Sequence, residues 1–163
     1  LLVGLADGRL DAAFVRYGLS TPPDLQLLRF ADEPMKIAVP AAHPLATRNS
    51  APLAALAGEP FILFPRNFGS SLYDEILSAC RDSGVTLRIT QEAPQMSSII
   101  NLVAAELGVS VVPASTAQLQ RPGVRYLDIE GHMPLARLAL AAAPGGLETT
   151  PLVQHLWALA KLI

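Results

Sequence analysis

Charge is scarce in this chain. Only 16% of its 163 residues are charged, and the 12 Lys and Arg, set against 14 Asp and Glu, are scattered singly. A formal net charge of −2 with no basic cluster excludes an electrostatic footprint for nucleic acid. These residues by themselves are not expected to bind DNA. Cysteine is nearly absent: Cys80 stands alone, which excludes an internal disulfide. Its place on the core side of a predicted helix marks a buried, inert thiol, in keeping with a reducing compartment. No apolar run reaches the roughly 18 residues that a membrane helix needs, and "LLVGLADGRLDAA" has neither the basic start nor the cleavage site of a signal peptide. A cytoplasmic protein with no membrane partner is expected. The first residue is Leu1 rather than methionine, so an N-terminally truncated fragment is also expected. What is plentiful is apolar surface, 51% of the residues, enough to bury a sizeable core in one domain or two small lobes.

The motifs of several reaction classes are missing too. "FILFPRNFGSSLYDEILSAC" reads as strand, loop and helix, the place where an α/β enzyme would hold a nucleophile or a phosphate. A nucleophile elbow needs Gly-x-Ser-x-Gly, whereas "FGSSLYDE" has Gly69 and no second glycine beyond Ser71. It also lacks the lysine and the spacing of a nucleotide-binding loop. His43 precedes Pro44 in a turn, His132 falls in a loop and His155 on the last helix, none near a second ligand-type residue, so all three read as surface or structural histidines. Asp74 and Glu75 are expected in the first helical turn, complementing the helix dipole. No metal site, cofactor or catalytic residue is indicated.

Periodicity and punctuation order the rest. Residues 1–10 read as the last turns of a helix stopped by Gly8, "DAAFVR" as a strand, and "GLSTPPD" as a loop. Strands are predicted at "LQLLRF", "MKIAV", "PFILF", "VTLRITQ", "VSVVP", "VRYLDIE" and "LARLALAAA". Helices are predicted at "LAALAG", at residues 72–83 before Gly84, at "MSSIINLVAAELG" with Gly108 as its cap, and at "TTPLVQHLWALAKLI" with Thr150 as N-cap and Pro151 in the first turn. Trp157, spaced helically with Leu152, Leu156 and Leu159, is expected in core or interface packing. Strands alternating with helices are most simply built as an α/β fold with parallel sheets.

Binding is what remains. Asn67, Gly69, Ser70 and Ser71 at a helix start offer backbone N–H groups and hydroxyls suited to a carboxylate or another small anion, with Arg66 adding charge and Phe68 covering an apolar body. The plainer alternative is that Ser70 or Ser71 caps the helix and Arg66 is solvated. Arg16 ends the "DAAFV" strand, where ligands of open parallel sheets gather. Gln95, Met96 and Ser97 open a second helix after a strand.

"GRLDAAFVR", "MKIAVPAAHPLA", "LAALAGEPFILFPR" and above all "LVAAELGVSVVPAS", in that order over nearly the whole chain, resemble the C-terminal effector-binding domain of bacterial LysR-type transcriptional regulators. "DAAFVR" and "FPRNF" are most similar to the branch that senses aromatic-catabolism intermediates such as muconate. The resemblance implies two Rossmann-like subdomains joined by two crossover strands, type 2 periplasmic-binding-protein-like, with an effector in the cleft. Residues 1–32 and 132–163 would form an incomplete subdomain I, and residues 33–131 subdomain II. Arg16 would face the cleft from the first lobe; Pro65, Arg66, Asn67, Phe68, Gly69 and Ser70 would line it from the second; Gln95 and Met96 would border it, and Leu135 would sit near the hinge. The implied function is allosteric: a small carboxylate-containing metabolite, aromatic or dicarboxylic, is sensed by a homodimer or homotetramer whose absent N-terminal winged helix-turn-helix contacts DNA. The alternatives are a transporter's solute-binding protein of the same fold, and an enzyme, for which no base or nucleophile is apparent.

Overall fold

A computed structural model describes residues 1–18 and 21–162, so the loop reading at Leu19 and Ser20 and the end of the terminal-helix reading at Ile163 lie outside the described residues. In chain order the elements are α1 (Leu2–Ala6), β1 (Ala12–Arg16), β2 (Gln26–Arg29), β3 (Glu33–Pro40), β4 (Ser50–Pro52), β5 (Pro60–Leu63), α2 (Ser70–Asp82) and β6 (Arg88–Glu92). There follow α3 (Met96–Ala104), β7 (Ser110–Pro113), β8 (Val124–Glu130), β9 (Leu135–Ala136), β10 (Leu138–Ala142), α4 (Gly146–Thr149) and α5 (Pro151–Ala160). The chain divides into two compact units, Leu1–Asp32 with Arg137–Ile163, and Glu33–Ala136.

In the first unit, β10 lies between β1 and β2 and is antiparallel to both. Alternation sorts the side chains: Val15 and Ala141 turn to one face, where Leu5 of α1 and Leu25 close a small core with Leu2, Ala13 and Leu27. The parallel sheet expected here does not form among the described residues, because β10 returns directly beside β1, with Ala12 opposite Ala142 and Arg16 opposite Leu138. In α5 the buried positions are Val153 and Ala160, whereas Leu152 is 76% and Leu159 50% exposed. The expected leucine face is therefore not the core face, and Trp157 and Leu156 are half-buried at its margin. Thr150 stands at the N-cap and Pro151 follows in the first turn, but the threonine side chain makes no capping bond.

In the second unit β5 and β6 are parallel, with a bulge at Phe61/Ile62, and Val109 bridges Phe61 in the parallel sense. Phe61, Ile62 and Leu63 are fully buried, as a continuous apolar run requires. The parallel arrangement expected for "PFILF", "VTLRITQ" and "VSVVP" is thus present, and the other strands of this unit join in mixed directions. β7 runs antiparallel to β3, β3 antiparallel to β8, and β4 parallel to β8. The eight-residue β3 lies between β7 and β8, which satisfy its backbone N–H and C=O groups on both edges, and it runs antiparallel to each.

α2 buries Leu72, Ile76, Ala79 and Cys80, one face at helical spacing. It closes as read at Gly84, whose φ of +77° lets Gly84 N–H reach Arg81 O at 2.9 Å and Val85 N–H reach Cys80 O at 2.8 Å. α3 buries Ile99, Ile100 and Val103 but closes before the glycine assigned to it. Glu106, at φ +62°, takes the left-handed position, with its N–H on Val103 O at 2.9 Å and the Leu107 N–H on Leu102 O at 3.2 Å. Gly108 serves a different contact, a close approach to the Pro60 carbonyl. "LAALAG" forms a single 3-10 turn, Leu53–Leu56, rather than an α-helix. No helix among the described residues is long and apolar enough to cross a membrane.

Candidate functional site

β5 and β6 are parallel neighbours, so the segments that leave their carboxyl ends start side by side; the Ala93 N–H, just past β6, donates to Leu63 O at the end of β5 at 3.0 Å. One segment runs through residues 65–69 into α2, the other into α3. This is where a parallel sheet collects ligands.

Pro65 sets the direction, and a 3-10 turn follows at Arg66–Phe68, with Phe68 N–H on Pro65 O at 2.9 Å and Gly69 N–H on Arg66 O at 3.2 Å. Gly69 is the N-cap of α2, so Ser70 and Ser71 are its first two residues and neither hydroxyl caps it. Helix geometry therefore leaves the first N–H groups without carbonyl partners inside the helix. The Ser71 Oγ is buried without a hydrogen-bond partner among the described residues. A Cβ on Gly69 would meet the Phe64 ring at 3.3 Å, and that ring packs edge-on against Tyr73 with centroids 6.0 Å apart. The loop is thus seated on its own helix, with Asn67 exposed and the Phe68 ring 65% exposed.

Arg66 is exposed to solvent, and its guanidinium is held by a neighbour on α2. Its Nε donates to Asp74 Oδ1 at 2.8 Å and its Nη2 to Asp74 Oδ2 at 2.7 Å. The hydrogen bond from Arg66 holds the Asp74 carboxyl below its usual range, and the same bond raises the Arg66 guanidinium. Asp74 and Glu75 are corrected accordingly: with α2 beginning at Ser70 they lie beyond its first turn, too far along to complement the dipole. Sequence reasoning missed this pair, since a spacing of eight across a loop matches neither helical nor strand periodicity.

Gln95 is the N-cap of α3, exposed and without a side-chain cap bond; Met96 is its first residue, half-buried against the core of this unit. Leu135 is half-buried in β9, opposite Pro34 of β3, and β9 packs on α2. Pro65 to Ser70, Gln95, Met96 and Leu135 therefore all belong to the second unit. Arg16 belongs to the first, half-buried at the end of β1. The parallel-sheet reason for singling it out does not hold, since both strand pairings of that sheet are antiparallel.

The remaining reactive groups sit in structural surroundings. His43 Nδ1 accepts the Leu45 N–H at 3.1 Å, and its Nε2 meets Glu59 Oε1 at 3.2 Å, closing the turn before β4. Burial pushes the Cys80 thiol up to about 11. Among the described residues no group of three or more His, Cys, Asp or Glu is placed to hold a metal ion. The first unit also carries a hollow that the sequence did not announce, about 540 Å³, between Phe14, Leu28, Phe30 and Leu138, with Arg29 and Lys161 at its margin and the two phenyl rings stacked at 5.9 Å.

The LysR substrate binding domain profile matches residues 1–161. An uncharacterized HTH-type transcriptional regulator, YnfL of Escherichia coli (strain K12), is 39% identical over 77% of this chain and 42% of its own length. The HTH-type transcriptional regulator CatR of Pseudomonas putida is 33% identical over 93% of this chain and 51% of its own. The chain thus spans about half the length of these relatives. Among solved structures, the reduced form of OxyR superposes with a TM-score of 0.78 and 29% identity, over 99% of this chain and 73% of that one.

Proposed function

The chain belongs to the LysR substrate-binding domain family, and from that premise we propose that it is the effector-sensing part of a longer DNA-binding transcriptional regulator. The observation that carries this is the family match over residues 1–161, in a chain whose strand-to-helix turns present donors at an exposed surface. The type 2 periplasmic-binding-protein-like α/β fold suits the role, and the relatives are regulators, not enzymes. No bond is broken. A small metabolite, an aromatic or dicarboxylic acid, binds one arrangement of the protein better than another, and that difference in affinity shifts the regulator's action on DNA. On the second unit we assign the wall to Pro65, Arg66, Asn67, Phe68, Gly69 and Ser70, with Gln95, Met96 and Leu135; on the first we assign Arg16. DNA contact falls to another part of the longer protein, which works as a homodimer or homotetramer in the cytoplasm. A transporter's solute-binding protein is not favoured, since the matched relatives regulate transcription.

The test is a melting-temperature titration of the full-length protein with a panel that includes benzoate and succinate. A concentration-dependent rise with at least one acid is expected. No shift with any acid of the panel would overturn the reading.

A further inference from the structure

The loop that leads into α2 holds its own carboxylate. Asp74 docks on the Arg66 guanidinium through two parallel bonds, 2.8 and 2.7 Å, the same two-point arrangement by which a ligand carboxylate would be held. Neither partner is shielded: the Arg66 side chain is 62% exposed and that of Asp74 48%. An exposed pair of this kind is weak and screened by salt, so exchange of Asp74 for an incoming acid is close to balanced. Phe68, on the same turn, is turned out to solvent and offers an apolar contact that Asp74 does not contest.

We propose that Asp74 is an internal competitor for Arg66 that lowers the loop's affinity for carboxylate ligands, so that an acid is retained through the further contacts it makes beside its carboxylate. This rests on the effector-sensing reading above. In the wild-type protein the Nε and Nη2 donors of Arg66, the pair that would grip a carboxylate, are engaged, and the N–H groups at the start of α2 remain for an incoming acid. Removing the Asp74 charge makes the guanidinium available, and the double variant with Arg66→Met separates that effect from any donor the new side chain brings.

Calorimetric titration of the full-length protein with benzoate, at low and high salt, tests this. Asp74→Asn is expected to bind benzoate about two- to fivefold more tightly than wild type, the scale of one exposed ion pair, with a steeper loss of affinity in high salt. Asp74→Asn combined with Arg66→Met is expected to lose that gain and its salt dependence. Asp74→Ser should reproduce the single variant, and circular dichroism verifies that each protein is folded. Weaker binding in Asp74→Asn would show a plain loop staple and overturn the proposal, as would an unchanged affinity, a gain that survives in the double variant, or no benzoate binding to either wild type or Asp74→Asn. The effector-sensing reading fails on a different result, the absence of any response of wild type to the whole acid panel.

Discussion

Gly108 and Pro60 meet backbone to backbone. The Val109 N–H donates to the Pro60 carbonyl at 2.9 Å, and a Cβ built on Gly108 would overlap that same carbonyl oxygen. This contact starts the registration of β7 on β5, continued where the Ile62 N–H donates to Val109 O at 2.9 Å. Gly108 also sits at φ +157°, a conformation that side chains rarely adopt. Gly108→Ala should therefore destabilise the protein by roughly 2 kcal/mol or more, measured by urea denaturation. A midpoint equal to wild type would refute the close approach.

Glu106 gives the opposite expectation. It occupies the left-handed position that closes α3 at φ +62°, where a non-glycine residue is strained. Glu106→Gly should stabilise the protein by about 1 kcal/mol in the same urea measurement. A loss of stability would show that the glutamate side chain contributes more than its backbone strain costs.

The Ser110 hydroxyl, fully buried, donates to Ile62 O at 2.8 Å. Ser110→Ala removes that bond and leaves a buried carbonyl lone pair unmet, for an expected loss of about 1 kcal/mol. Thermal melts of the two proteins at one concentration would measure it.

Cys80 is buried and its thiol is pushed up from 9.0 to about 11 by desolvation. At neutral pH it should stay unlabelled by a disulfide-exchange reagent in the native protein and label fully in urea. The sign of its pH effect follows from the raised folded-state value. Burial favours the neutral thiol, so its contribution is complete below about pH 9 and is lost as pH rises toward about 11. Replacing it by alanine should flatten that alkaline decline, read from melting temperatures across the range.

On α5, Val153 is buried and Leu152 is 76% exposed. Val153→Ala is expected to cost roughly 1–3 kcal/mol and Leu152→Gln no more than about 0.5 kcal/mol. Chemical denaturation of both variants checks it; equal costs would mean that the helix is rotated about its axis.

Local chemistry accounts for what could be read without a structure. The β5 run, the buried face of α2 and the Gly84 stop depend on residues close in sequence, and a period of 3.6 or an unbroken apolar run is visible there. The cap of α3 was not visible in the same way. Gly108 resembles Gly84 as a letter, but its conformation is required by Pro60, 48 positions earlier in the chain, while the cap itself fell to a glutamate. The α5 face failed for a related reason: four apolar residues at helical spacing mark a stripe, and only the neighbouring sheet decides which stripe is buried.

By itself, then, the sequence determined the α/β class, the main strands and helices of the second unit, the turn 65–69 between β5 and α2, and a family resemblance that the LysR profile match supports. Tertiary structure alone decided that β10 runs antiparallel between β1 and β2, that β3 runs antiparallel between β7 and β8, and that Arg66 is held by Asp74. The physical reason is the range of the interactions. Propensity, capping and periodicity act over a few residues, whereas strand direction and the partner of an exposed charge depend on groups brought together only when the chain has folded.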